Sequence, residues 1–496
     1  MQTKKTPGVY VEEITTLAPS VVPVSTAIPA FIGYTEKRPS SSIEAIRISS
    51  LMDFERLFGG PFQETFSAKA QYEASTEEYT ITTMPEDPGQ PTFRLYYSLR
   101  MFYANGGGTC YIVSVGEYKA ENGITEPNSD VLINGLNVLD QEDEPTLLIF
   151  PDAPAVINET NFNLYQQALS KCAQLKSRFT LIDLHRGDQD FGLLDKVIQE
   201  FRSAIDINNL SYGAAYYPWL LTNLRYGYYE SDVEISITGT PPSEVTEIKL
   251  SYDLNDLDNL PNVTDPVGGT LGNHEKEQYY QNRSLFHIDN ILYTKIKSHI
   301  ENFRVKLPPS GAVAGVYARV DNTRGVFKAP ANEGLSSVIR PLVNIDDLQQ
   351  ESLNEHSTGK SVNVIRSFAD KGVLIWGART LDGNSNEWRY ISVRRFFLFV
   401  EESIKKAIEN FVFEANNESI WIRLRSLIEN FLTLQWKAGA LVGAKPDQAF
   451  EVLIGLGKTM TAQDILEGRL IIHVGLAVVR PAEFIILKFT HKLPEA

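Results

Sequence analysis

At 496 residues the chain is too long for one compact hydrophobic core, and two or three domains are expected. Apolar residues make up 43% and aromatics 10%, which excludes a disordered chain, while the net charge of −16 removes the basic face that nonspecific nucleic-acid binding needs. Cys110 and Cys172 are the only cysteines, so a disulfide-stapled secreted fold is excluded and folding in a reducing cytosol fits.

The elements in chain order begin with an arm at residues 1–20. Val9-Tyr-Val-Glu-Glu-Ile14 is a β-prone run between Pro7-Gly8 and Pro19, and a strand without a local partner is marginal in water. It must pair elsewhere in the fold or with another chain. Met1 to Gly8 lacks the apolar core of a signal peptide, and no apolar stretch approaches the roughly 20 residues of a membrane span. Neither secretion nor membrane insertion is expected.

From Ile28 to about Val115 the pattern is mixed α/β. Phe31-Ile-Gly33 ends a strand, Ser49 to Phe58 reads as a short helix stopped at Gly59-Gly60, and the polar residues 71–91 have little core character. Phe93 to Tyr103 reads as a helix stopped by Asn105-Gly-Gly-Gly108, leading into a strand at Cys110–Val115. Residues 145–225 alternate as an α/β layer: strand 146–150, helix 161–175, strand 179–184, helix 191–204 and strand 213–217. Residues 228–285 break the pattern, being polar with one alternating run at Val233–Thr238, and read as an outward, β-rich insertion. The α/β core resumes with a helix entered at Pro308-Pro-Ser-Gly311, and a C-terminal α+β domain is expected from about 346 to 482.

Motifs for chemistry are weak. Gly455-Leu-Gly457-Lys458-Thr459 imitates the end of a phosphate-binding loop, but Val452 stands where its first glycine belongs. A strand, a turn and a helix capped by Thr461 explain it instead. Asn105-Gly-Gly-Gly108 follows a helix, whereas phosphate loops precede one. The seven histidines are scattered without metal-ligand spacing, and no cofactor or metal is expected. Asp183 and His185 at a strand end, with Ser310 beginning a helix downstream, form the one conceivable hydrolase triad. No Gly-x-Ser-x-Gly elbow supports it.

The longest helix signal lies near the C-terminus. Ile420, Leu424, Leu427, Phe431 and Leu434 recur at helical spacing, widened by Trp421, Ile428 and Leu432, as a core-packing stripe. Arg423, Arg425 and Lys437 occupy the other face. They are either a solvated face helped by the helix dipole or a cationic contact for an acidic partner.

Four segments in order resemble the contractile tail sheath family. They are Thr6-Pro-Gly-Val-Tyr-Val-Glu-Glu-Ile14 with Ala30-Phe-Ile-Gly33; Phe102-Tyr-Ala-Asn-Gly-Gly107 with Cys110-Tyr-Ile-Val113; Pro308 to Asp321 with Arg324–Asn332, Leu353-Asn354, Asn363–Arg366, Trp376–Leu381 and Trp388–Arg395; and Trp421–Phe450 with Arg480–Phe489. In residues 116–145 and 228–285 no resemblance to that family is read, and insertions are expected there.

The resemblance implies a multidomain α/β and α+β chain. It has a linking arm (1–20), a subtilisin-like sheath core (21–130 and 131–345), an inner, tube-facing C-terminal domain (346–482) and a linking strand (483–496). It implies no catalysis. It implies strand exchange between subunits through Val9, Tyr10, Val11, Ile14, Phe484, Ile485, Ile486, Leu487 and Phe489, and tube contact at Arg423, Arg425 and Lys437. The implied partners are further copies of the chain, sheath paralogues, an inner tube protein, a baseplate and terminator proteins, with assembly in the bacterial cytoplasm. Residues 26–37 are closer to phage-tail-like injection particles than to a phage. The rivals are a serine hydrolase and a soluble binding module.

Overall fold

The structure is a computed structural model that describes residues 21–120, 123–156, 160–189, 191–240, 248–263 and 269–486. It divides into two compact units, Ser25–Arg395 and a second made of Met1–Val24 with Phe396–Ala496.

The first unit is built on a sheet of nine strands among the described residues. These are β1 (Pro29–Thr35), β2 (Ala45–Ile48), β3 (Cys110–Glu117), β4 (Leu147–Ile149), β5 (Phe179–Asp183), β6 (Gly213–Tyr217), β7 (Glu333–Gly334), β8 (Val362–Phe368) and β9 (Gly372–Ile375). Their spatial order is β7-β9-β8-β6-β5-β4-β1-β3-β2. The six strands from β8 to β3 run parallel, in a register set by pairs such as Ala30↔Tyr111, Ala30↔Leu148 and Ala215↔Ile182. Antiparallel β2 and β9 flank them, with β7 beyond β9.

Parallel strands must be covered on both faces, so their sequences run apolar without alternation. Every residue of β1 is buried. On one face, Ala30, Ile32 and Tyr34 join a cluster with helices α2 (Ser129–Val138), α3 (Thr160–Leu175) and α4 (Phe191–Ala204), through Leu132, Leu136, Leu164, Leu169, Val197 and Phe201. On the other, Phe31 meets Phe102 of α1 (Leu95–Ala104) edge-on at 5.4 Å, and α5 (Ser310–Arg324) packs against α1. That helix pair is unusually close. A Cβ at Gly311 would lie 2.5 Å from the Ser98 carbonyl oxygen, and one at Gly315 2.4 Å from that of Phe102.

Two expectations are corrected here. The segment 228–285 is not simply β-rich: after the strand Glu234–Thr238 it carries helices Asn273–Arg283 and Leu285–Ile288. The Asn273–Arg283 helix is fixed by Lys276 Nζ donating to the Leu260 carbonyl (2.7 Å) and Tyr280 to that of Pro261 (2.8 Å), bonds that leave no apolar period to read. Strand 234–238 runs parallel to Ser67–Glu73, whose hairpin partner Glu78–Thr83 falls in the stretch read as lacking core character. The C-terminal boundary also moves. Strands β8 and β9 complete the large sheet, so the compact unit ends at Arg395 and not near 346.

The second unit contains the end of α6 (Ile391–Ile408), then α7 (Glu418–Lys437), and an antiparallel pair, β10 (Phe450–Ile454) and β11 (Ile472–Leu476). Asn417 caps α7 by accepting from the Ile420 N–H, and Phe399 packs on Phe431 at 5.9 Å. No helix among the described residues is long and apolar enough to cross a membrane.

Candidate assembly surfaces and a closed crevice

An open α/β sheet places ligands outside the carboxyl ends of its strands, where the strand order reverses. Here the reversal lies between β1 and β4. Asp152, just past β4, fills that position. Its carboxylate accepts from the Tyr34 N–H (3.0 Å) and the Arg94 N–H (2.6 Å), so it staples β1 to the start of α1. Gly33 permits the approach, since a Cβ there would stand 2.5 Å from Asp152 Oδ2. Burial raises the Asp152 pKa against those hydrogen bonds.

The triad residues lie along the same rim. The Ser310 N–H and Oγ–H both donate to the Asp183 carboxylate, at 2.9 and 2.5 Å. His185 turns away, its Nδ1–H donating to the Pro154 carbonyl at 2.8 Å. An activated serine needs the base on the serine and the acid behind the base. In this geometry the acid holds the serine directly, and both are fully buried. The arrangement caps a helix: Pro309 offers α5 no side-chain cap, and Asp183 from the neighbouring strand supplies one.

Three further residues of this cluster carry no sequence motif. The Arg94 guanidinium sits 5.5 Å over the Trp219 ring and donates to Gln90 Oε1, while Nε and Nη1 have no partner. Asp188 accepts from Gln90 Nε2 at 2.7 Å through one carboxylate oxygen only. Glu64 accepts from the Thr92 N–H and hydroxyl, and burial raises its pKa.

In the second unit the α7 stripe is largely as read. Ile420, Leu424, Leu427, Ile428, Phe431 and Leu432 are buried, but Leu434 is 59% exposed. The three cations separate. Arg425 is half-buried and donates to the Ile454 carbonyl (3.2 Å), which ties α7 to β10. Arg423 is exposed, 5.5 Å from the Phe411 ring, at a cavity of about 470 Å³ that Val22, Pro23, Lys406 and Leu427 also line. Lys437 is exposed in the last turn. From Ile422 onward the exposed positions of α7 are Ile422, Arg423, Ser426, Asn430, Leu434 and Lys437, with no carboxylate among them.

Beyond α7 the β10–β11 sheet has two strands among the described residues, extended by the bridge Leu441↔Val478. The loop between them carries the expected cap, with Thr461 Oγ1 accepting from the Asp464 N–H. Phe484, Ile485 and Ile486 then stand 70–80% exposed. Val9, Tyr10, Val11, Ile14, Leu487 and Phe489 lie outside the described residues.

Comparisons with known proteins cover both units. Residues 236–381 match the phage tail sheath protein central domain and 384–492 the phage tail sheath C-terminal domain. The helical sheath of the anti-feeding prophage (AFP), solved in the contracted state, is 30% identical, with a TM-score of 0.61 over 99% of this chain and 100% of that one. The chain belongs to the contractile tail sheath family. The contracted sheath complex of the extracellular contractile injection system PVC is similar at 28% identity and TM-score 0.62, over 99% of each chain. The tail sheath protein of Vibrio phage KVP40 is 27% identical over 130 residues, which span 26% of this chain and 19% of that protein. This is a structural sheath subunit of mixed α/β, multidomain build.

Proposed function

We propose that this subunit polymerises helically around an inner tube in a metastable extended state. Release of that state shortens the sheath and drives the tube through a target envelope. The barrier is kinetic and the energy is stored during assembly, so no substrate, cofactor or catalysis is involved. The supporting observation is the run Phe484-Ile485-Ile486, three consecutive apolar side chains left in solvent just past a two-stranded sheet. Two strands are marginal alone, and exposed strand edges invite pairing with another chain. We assign β10 and β11 as the acceptor sheet, and residues 9–14 and 484–489 as the strands lent by neighbours. A head-to-tail loan of strands generates open helices, not closed dimers.

The sheet unit is read as the subtilisin-like sheath domain, supported by six parallel strands covered on both faces. The carboxylate-free face of α7 is assigned to the tube, with Arg423 and Lys437 as its cations. Arg425 is better explained as a tie to β10. A baseplate, terminator proteins and sheath paralogues complete the partner set, and the setting is a phage-tail-like or extracellular injection particle assembled in the bacterial cytoplasm.

The test is deletion of residues 1–20. The expected result is sheaths that fail to form at tube length or fall apart on contraction. Tube-length sheaths that form and stay linked after contraction would overturn strand exchange.

A further inference from the structure

The chain passes between its two compact units twice, at Val24–Ser25 and at Arg395–Phe396. On the sheet-unit side, both passages end on one buried ion pair. Arg395 grips Asp321 with both arms of its guanidinium, Nη1 to Oδ1 at 3.0 Å and Nη2 to Oδ2 at 2.5 Å, and both side chains are 3% exposed. Thr26 joins the same pair from the N-terminal passage. Its hydroxyl donates to Asp321 Oδ2 at 2.6 Å, and its carbonyl accepts from Arg395 Nη2 at 2.9 Å.

We propose that this Arg395–Asp321–Thr26 cluster is the mechanical anchor through which tension on the N-terminal arm enters the sheet unit. The proposal rests on the strand-exchange reading, in which a neighbour holds residues 9–14 while the sheath shortens. Tension along the arm meets Thr26 three residues before β1 begins. Strand β1 lies inside the sheet, between β4 and β3, so peeling it would open the core of the unit.

The cluster is built to spread such a load. Asp321 lies in α5, next to the helix residues that pack on α1. Arg395 lies 4.5 Å over the Tyr317 ring, and the Tyr317 hydroxyl bonds that of Tyr216 in β6 at 2.7 Å. The Thr26 carbonyl also accepts from Thr146 Oγ1 (2.9 Å), and that hydroxyl accepts from the Ile28 N–H (2.9 Å). Thr26, between the arm and β1, is therefore tied to α5, to α6 and to the start of β4. A fork of two charge-assisted bonds fixes direction as well as distance, which a lysine would not do. Within the second unit the Val24 N–H donates to the buried hydroxyl of Ser403, farther along α6.

The experiment uses the full chain with Thr26→Val, Arg395→Lys and Asp321→Asn. Thr26→Val is the gentlest, because it removes the hydroxyl bond to Asp321 and leaves the ion pair and the backbone bond from Arg395 in place. Hydrogen exchange is read at Ile28–Ile32, with Phe179–Asp183 as an internal reference, and contracted sheaths are measured for length. Exchange at 28–32 is expected to accelerate roughly tenfold for Thr26→Val and roughly a hundredfold for Asp321→Asn. Extended sheaths of Thr26→Val and Arg395→Lys are expected to form and then fragment on contraction. Unchanged exchange in Thr26→Val, or contracted variant sheaths as long as wild type, overturns the anchor. The arm reading fails separately: sheaths lacking residues 1–20 would stay linked, a result that the point variants, which keep the arm, cannot mimic.

Discussion

Replacing Asp183 with Asn tests the buried cap by its effect on pH dependence. Burial lifts the Asp183 carboxyl to about 7 from an ordinary 3.8, against two hydrogen bonds from Ser310 and the charge of Arg94. The folded state therefore holds this proton more tightly than the unfolded chain does. The contribution to stability is fully present below pH ~4 and is lost as pH rises toward ~7. A rise of that size corresponds to about 4 kcal/mol, spread as roughly 1 kcal/mol per pH unit between pH 4.5 and 6.5. His185 acts in the opposite sense, because burial lowers its pKa and its stabilisation is lost as pH falls below its ordinary 6.5. The two effects overlap, so the wild-type profile alone is ambiguous. Asp183→Asn keeps an acceptor for Ser310 and removes one titration. Hydrogen exchange at 179–184 and 310–320, corrected for intrinsic rates, should show the wild type losing stability relative to the variant as pH rises from 5 to 7. Parallel profiles for the two proteins would refute the buried-carboxylate argument.

Two further outcomes follow from packing and charge. Gly311→Ala must push α5 away from the backbone of α1. A cost of roughly 1–3 kcal/mol in the urea unfolding of the full chain is expected, despite the better helix propensity of alanine. Arg423→Glu with Lys437→Glu should leave stability within about 0.5 kcal/mol, as exposed substitutions do, while abolishing assembly of extended sheaths on tubes. Arg425→Ala should instead destabilise the second unit by roughly 1–2 kcal/mol through the lost bond to Ile454. Normal sheaths from the charge-reversed pair would remove α7 as the tube contact.

Much of the fold was legible because its signals are local. The β6 limits, Gly213–Tyr217, are those of the apolar run, and the serine entry and glycine stop of Ser49–Gly60 appear as Ser50 accepting from the Asp53 N–H and Gly59 at φ +86°. Residues 273–283 were illegible as a helix because polar anchors, Lys276 and Tyr280, do the packing there. The boundary near 346 was misplaced because nothing local says that β8 pairs with β6, about 150 residues earlier. The candidate sites divide the same way. Periodicity gave the buried face of α7, but that Arg425 belongs to β10 while Arg423 and Lys437 face solvent depends on a contact 29 residues away. Asp152, Arg94 and the Thr26–Asp321–Arg395 cluster gave no signal of function, since each acts only through a partner distant in the chain.

The crevice at the strand reversal shows why a fold that hosts enzymes elsewhere serves here as a structural block. Asp152, Asp183, Asp188 and Glu64 all act on the single guanidinium of Arg94. Burial raises the carboxyl pKa values of Asp183, Asp152 and Glu64, against the charge of Arg94 and the hydrogen bonds each accepts. A catalytic site would spend such perturbed groups on a ligand reached from solvent. In this subunit Asp183 is used up capping α5, Asp152 in stapling β1 to α1, and Glu64 in holding Thr92, so each group that might do chemistry joins two elements of the sheet unit instead. The hydrogen bonds each carboxylate accepts offset part of the cost of burying it.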